Sequence, residues 1–204
     1  NRISGSRGIK SGGSYISKSS FKNLNKNKKK LLLNNKKPNI LIATQDFFDA
    51  INIYGRFIFN DFYEWLYFLG QTSNKTNYNW YIKDHPNYAG KYKKYQPFTN
   101  NITKEICKKF PNIKRIPSNI PHNQLINEGV DAVLTVFGSV QFEYPVFNVP
   151  VITASNNVPS KNYNFSIKSS NKKDYLNKIL NIKKTRSKLN INEIYEFYYM
   201  NFIF

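Results

Sequence analysis

Two dipeptides carry the most chemical information in this chain, and each follows a short apolar run. His85-Pro86 comes just after residues 79–83, and Gly138-Ser139 just after residues 132–137. Proline restricts its own backbone and that of the residue before it, which holds the His85 imidazole in place. Glycine permits a sharp turn and serine is a favourable helix N-cap. A strand feeding a helix through Gly138-Ser139 would gather backbone N–H groups and the positive end of a helix dipole at one point, which suits a phosphate. Glu143 lies four residues beyond Ser139, one turn further along the same helix face. A carboxylate there can accept hydrogen bonds from ribose hydroxyls, as acids do in dinucleotide sites. Thr44 and Lys83 stand at the ends of two other apolar runs. Together these residues offer an imidazole, an ammonium group, hydroxyls and a helix N-terminus to a phosphorylated ligand.

Each of these residues also has a plainer structural reading. A histidine at a strand end is commonly structural, and an acid in the first turn of a helix is favoured by the dipole alone. Other chemistries have less support. His85, His122 and Asp46 lack the spacing of a metal site, such as His-x-x-x-His, so no metal or other cofactor is expected. No Gly-x-Ser-x-Gly elbow surrounds Ser139, which argues against a hydrolase. The single cysteine, Cys107, excludes an internal disulfide and a cysteine-based zinc site.

Bringing the candidate residues together requires a parallel sheet. Residues 40–43, 79–83, 132–137 and 149–153 read as short strands buried on both faces, and residues 112–117 as an edge-like strand. Helices are predicted over 61–70, 102–110, 122–128, 174–180 and 191–204. In the first, Asp61 is the N-cap, Glu64 completes a capping box and Gly70 ends the helix. Gly129 closes the third. Residues 87–101 read as a long loop. Alternating strands and helices predict an α/β fold, a Rossmann-like doubly wound parallel sheet, whose ligands bind outside the carboxyl ends of the strands. The ends at Thr44-Gln45-Asp46, Lys83-Asp84-His85-Pro86 and Gly138-Ser139 would then share one rim.

The net charge of +19 resembles a nucleic-acid signal, but eleven of the 31 Lys and Arg residues fall within residues 1–37, which hold no acid. That segment is rich in Gly, Ser, Asn and Lys and supplies no core, so it reads as a basic flexible arm or inter-domain linker. No nucleic-acid partner is expected. Residues 38–183 read as the domain and residues 184–204 as an aromatic helix that packs on a neighbouring domain. No apolar run has transmembrane length and no signal-peptide pattern is present at the start. A cytoplasmic protein is expected, with peripheral contact at an anionic inner membrane face open to it. The first residue is Asn1 rather than Met, so a fragment of a longer chain is expected.

In order along the chain stand Trp80-Tyr-Ile-Lys-Asp-His85-Pro86, then Asp131-x-x-Leu134-Thr135-x-x-Gly138-Ser139-x-x-x-Glu143, then Val149-Pro-Val-Ile152. This combination resembles the C-terminal, donor-binding domain of GT-B glycosyltransferases. It is similar above all to bacterial capsule-polysaccharide and surface-carbohydrate biosynthesis proteins, including Kdo transferases and bacterial sialyltransferases. The resemblance covers roughly residues 39–166. It implies one half of a GT-B fold, a glycosyltransferase, and a nucleotide sugar, CMP-linked, as donor. It implies that His85 meets the donor phosphate with Pro86 setting its backbone, that Gly138 and Ser139 bind phosphate, and that Glu143 holds the ribose. His122 would line the nucleotide pocket and Thr44 the donor site. A glycan or glycolipid would be the acceptor. The catalytic base of the family comes from the other domain, so it is expected outside this chain; neither Asp46 nor Asp49 is assigned that role. Asn148 stands where the family commonly has glycine, and asparagine tolerates the left-handed conformation. Two alternatives remain: a nucleotide-sugar epimerase on the same scaffold, which needs more acid–base groups, and a non-catalytic nucleotide-sugar-binding fragment.

Overall fold

Runs of branched and aromatic side chains at residues 39–43, 79–83, 132–135 and 151–153 form strands because both of their faces are covered, and residues 113–116 form an edge strand with Lys114 exposed. The computed structural model describes residues 29–47, 57–85, 94–156, 158, 160–186 and 189–202. Its strands are β1 (Asn39–Ala43), β2 (Asn79–Lys83), β3 (Ile113–Ile116), β4 (Ala132–Thr135), β5 (Val151–Thr153) and β6 (Ile167–Lys168). They make one six-stranded sheet of order β3-β2-β1-β4-β5-β6, and every pairing is parallel. The chain therefore winds outward in both directions from β1. The order reverses between β1 and β4, the switch point at whose carboxyl ends doubly wound sheets place their ligands. The two-residue edge strand β6 was not expected from the sequence; it is too short to show a period.

The helices are α1 (Phe62–Ser73), α2 (Gln96–Lys109), α3 (His122–Asn127), α4 (Val140–Glu143), α5 (Lys172–Leu180), α6 (Ile182–Arg186) and α7 (Ile191–Phe202). Alternation along the strands sends Ile40, Ile42, Trp80, Ile82 and Leu134 to one face, against Trp65, Leu66 and Leu69 of α1, Ile106 of α2 and Tyr175 of α5. Leu41, Tyr81 and Val133 face the other way, onto Leu125 of α3 and Val140 of α4. Each such side chain contributes roughly 1.5–3 kcal/mol by leaving water.

Several local expectations change. Asp61 Oδ1 accepts from the Glu64 N–H at 2.7 Å, as a cap should, but Glu64 Oε2 accepts from the N–H of Asn60, also at 2.7 Å. The helix α1 does not end at Gly70. It runs on to Ser73, and Gly70 serves packing instead: a β-carbon there would lie 2.1 Å from Cδ2 of Phe110. The second helix starts at Gln96, inside the expected loop, with proline in its first turn. Gly129 closes α3 at φ 92°, and Asn148 takes the left-handed conformation at φ 57°.

Packing also begins before Pro38. Leu32 is buried, the N–H groups of Leu31 and Leu32 donate to Glu128 Oε2 at 2.8 Å each, and that of Leu33 donates to the Tyr81 hydroxyl. At the other end, Ile194 and Phe197 of α7 pack on Phe142 and Phe165 in a third apolar cluster. One face of this helix therefore belongs to the sheet's own body, while Tyr195, Tyr199 and Met200 stay exposed. Among the described residues no helix is long and apolar enough to cross a membrane.

Candidate functional site

The carboxyl ends of β1, β2 and β4 are joined side by side. The Thr44 N–H and hydroxyl both donate to the Lys83 carbonyl, at 3.2 and 3.0 Å, which ties the end of β1 to that of β2. Gln45 Nε2 donates to Thr135 Oγ1 at 3.0 Å, and Thr135 Oγ1 donates to the Ala43 carbonyl at 3.2 Å. These bonds floor the crevice between β1 and β4. Gly138 lies directly on that floor. A β-carbon on it would be 2.7 Å from Gln45 Nε2 and 2.8 Å from Thr135 Oγ1. Glycine is required there by close approach, since its φ is not positive.

From Gly138 the chain makes a single helical turn, α4, and then a 3-10 turn over Pro145–Phe147. Pro145 lacks an N–H and stops the helix. Ser139 does not act as the expected N-cap: its backbone is already helical, at φ −57° and ψ −18°, and its side chain makes no capping bond. No backbone carbonyl among the described residues accepts from the N–H of Ser139 or Val140. The half-buried Ser139 thus presents a hydroxyl and N–H donors at the rim. Gln141, which the sequence did not single out, holds this turn from behind. Its Nε2 donates to the Phe137 carbonyl at 2.9 Å, and its Oε1 accepts from Ser160 Oγ at 2.7 Å. A glutamine three residues after a turn glycine was the signal available in the sequence, but its partner Ser160 is distant in the chain.

Glu143 is 2% exposed and Lys83 likewise, on the face of the sheet covered by α3 and α4. Lys83 Nζ donates to the Ser118 carbonyl at 2.9 Å. Burial lowers the Lys83 ammonium to about 8, partly offset by the nearby charges of Asp84 and Glu143. Asp84 pairs with Arg115 of β3, and its Oδ1 is buried without a hydrogen-bond partner among the described residues. His85 is half-buried at the rim.

His122 opens α3 as expected, but its ring is inside the protein. Its Nδ1 shares a 2.6 Å hydrogen bond with the Tyr144 hydroxyl, and the two rings meet edge-on. Burial holds His122 well below the ordinary histidine range, and the charges of Lys83 and His85 push the same way. Burial and Glu143 raise Tyr144 well above the ordinary phenol range. Lys83 thus lies within electrostatic reach of Glu143 and His122, His85 of His122, and Glu143 of Tyr144. Pro86 and Asp49 lie outside the described residues. Two clefts, of about 440 and 270 Å³, lie at the amino ends of β1 and β2, the first lined by Lys36, Lys37 and Lys183 and the second by Lys37, Trp80 and Lys114. They are at the opposite end of the strands from the rim, where doubly wound sheets do not place their ligands.

No protein-family model matches the sequence, and no curated protein matches it. Solved structures do. A protein assigned as a UDP-N-acetylglucosamine 2-epimerase from Listeria monocytogenes is 16% identical with a TM-score of 0.53, over 75% of this chain and 39% of that one. The UDP-GlcNAc 2-epimerase from Neisseria meningitidis, bound to UDP-GlcNAc, is 13% identical with a TM-score of 0.53, over 79% and 41%. The wall teichoic acid polymerase TagF is 16% identical with a TM-score of 0.46, over 81% and 39%. The chain spans about two-fifths of the length of the structures it matches. At these identities the likeness is one of fold: a Rossmann-like α/β sheet corresponding to one half of a GT-B architecture.

Proposed function

We propose that this chain binds a nucleotide-activated sugar at the carboxyl rim of its sheet and forms the donor half of a glycosyltransferase of capsule or surface-polysaccharide synthesis. The observation that supports this reading best is the floor of the switch-point crevice. Gln45, Thr135 and Gly138 bring β1 and β4 together there, and the turn that follows carries a half-buried Ser139 whose N–H meets no backbone carbonyl among the described residues. In this reading Ser139, Gly138 and His85 meet the donor phosphate, with Pro86 fixing the backbone beside His85; Thr44, expected there too, spends its N–H and hydroxyl on the Lys83 carbonyl and supports the rim from beneath. Glu143 and His122, 2% and 4% exposed, lie behind the nucleotide pocket; the ribose contact expected of Glu143 is not open to it in this structure. The favoured donor is CMP-linked, and the acceptor is a glycan or glycolipid. The protein works in the cytoplasm, with peripheral contact at the inner membrane face.

The reaction would break the bond between the anomeric carbon and the donor phosphate oxygen and form one to an acceptor hydroxyl oxygen. The acceptor's proton goes to a base on the other half of the enzyme, outside this chain. Negative charge grows on the leaving phosphate. Donors already aimed at it, and His85, stabilise that charge without reorganising at the moment of reaction.

A second reading, a UDP-sugar 2-epimerase, is supported by the two structural neighbours at TM-score 0.53. It calls for acid–base groups at C2 of the sugar. One titration series separates the readings. CMP, CDP and UDP are titrated into the folded protein by calorimetry, with His85→Ala beside the native chain. Saturable CMP binding that His85→Ala loses, with its circular dichroism unchanged, is the expected result. Preferential UDP binding favours the epimerase reading, and no binding of any of the three overturns the donor assignment.

A further inference from the structure

We infer that His122 is a positioning residue: through Tyr144 it clamps the turn formed by residues 138–144 from the α3 side, opposite the clamp made by Gln141. The α4 helix is four residues long and its C-cap, Tyr144, is followed at once by Pro145, so it has no stability of its own. Something else must hold Ser139 and Glu143 where they are. On the β5–β6 side that support is Gln141, through the Phe137 carbonyl and Ser160 Oγ. On the other side it is Tyr144. Its carbonyl accepts from the N–H groups of Phe147 and Val149, and its own N–H donates to the Val140 carbonyl. Its ring is fully buried and its hydroxyl meets His122 Nδ1 at 2.6 Å. One residue therefore joins α4, the 3-10 turn and the start of β5, and His122 fixes its tip. Glu143, the neighbouring residue in the chain, is carried along.

This assignment moves His122 from the ligand's wall to its support. The groups facing it are Lys83 and His85 of the β2 end and the Tyr144 hydroxyl of the turn, with Glu143 beside Tyr144, and burial first, then Lys83 and His85, favour a neutral imidazole. A neutral ring offers one donor and one acceptor, and either tautomer satisfies the tyrosine hydroxyl through Nδ1.

The two ring nitrogens give the test its discrimination. Asparagine places a polar atom near the position of Nδ1, whereas glutamine places one near Nε2. His122→Asn, His122→Gln and Tyr144→Phe are compared with the native chain by the backbone amide shifts of Ser139–Glu143, which need no ligand. The expected result is that His122→Asn keeps these shifts near native while His122→Gln and Tyr144→Phe displace them. Native shifts in Tyr144→Phe, or rescue by glutamine and not asparagine, overturn the inference. Should His122→Asn fail to fold, Tyr144→Phe, which removes one oxygen, decides the matter alone. The functional consequence rests on the nucleotide-sugar reading: CMP affinity is expected to fall at least tenfold in Tyr144→Phe and less than threefold in His122→Asn. If the shifts follow this pattern but the native chain binds no nucleotide, the clamp stands and the donor reading falls.

Discussion

Gly138 lies against the side chain of Gln45 so closely that a β-carbon would come within 2.7 Å of Gln45 Nε2. The contact joins the ends of two strands that are neighbours only through the sheet, and it lies where the strand order reverses. Gly138→Ala is therefore expected to cost roughly 1–3 kcal/mol by overpacking. Gln45→Ala in the same chain should return only part of this, because Thr135 Oγ1 also stands 2.8 Å from the added carbon. A double-mutant cycle in urea measures the coupling. Additive effects of the two changes would show that Gly138 does not press on Gln45.

Lys83 gives a pH prediction with a defined sign. It ionises at about 8 in the folded chain, against about 10.4 in an unfolded one. Between these values the unfolded chain holds more protons, so the contribution of Lys83 to stability rises with pH through this window. Below pH 8 its buried ammonium is a penalty of up to about 3 kcal/mol, since a tenfold loss of proton affinity corresponds to about 1.4 kcal/mol. Leaving the Ser118 carbonyl unpaired takes back roughly 1 kcal/mol. Lys83→Met should thus be the more stable protein at pH 7, and its advantage should shrink from pH 8 to pH 10. Urea midpoints at three pH values check this; an advantage that does not change with pH refutes it.

Gly70 tests a different role for glycine. An alanine in mid-helix ordinarily gains about 1 kcal/mol over glycine. Here the added carbon would meet the Phe110 ring at 2.1 Å, so Gly70→Ala is expected to destabilise by roughly 1–3 kcal/mol. Phe110→Leu in the same chain should recover part of that loss. Thermal melts of the two single variants and the double variant are sufficient.

The two faces of α7 should respond in opposite ways. Phe197 packs among Phe142, Tyr163, Phe165 and Tyr198, and Phe197→Ala is expected to cost about 3–5 kcal/mol at this enclosed position. Tyr195 is 60% exposed, and Tyr195→Ala should stay within about 0.5 kcal/mol. Hydrogen exchange of the α7 amides distinguishes local release of the helix from global loss. Protection of α7 that persists in Phe197→Ala would show that the aromatic cluster is not what docks it.

Residue types and their spacing were enough to give the class of fold and, to within two residues, where β1, β2 and β4 end; β4 stops at Thr135 rather than at residue 137. Branched residues in short runs, bounded by Gly, Pro and Asn, allow little but buried strands, and their alternation with apolar helix faces calls for a doubly wound sheet. Gly129 was legible as the residue that closes α3, and Asn148 through the family resemblance, since glycine and asparagine both tolerate left-handed backbone. Tertiary structure alone decided the order of the strands and with it which ends meet. It set Gln45 and Thr135 under Gly138, bound Gln141 to Ser160, and carried His122 into the interior onto Tyr144. It also placed Phe110 against Gly70, so that this glycine serves packing inside α1 rather than ending it. The hydrogen bonds among these residues reach partners between 19 and 90 residues away, and local propensity holds no information about such a partner. The sequence therefore specified which groups stand at the rim, and packing decided which of them face outward and which hold the others in place.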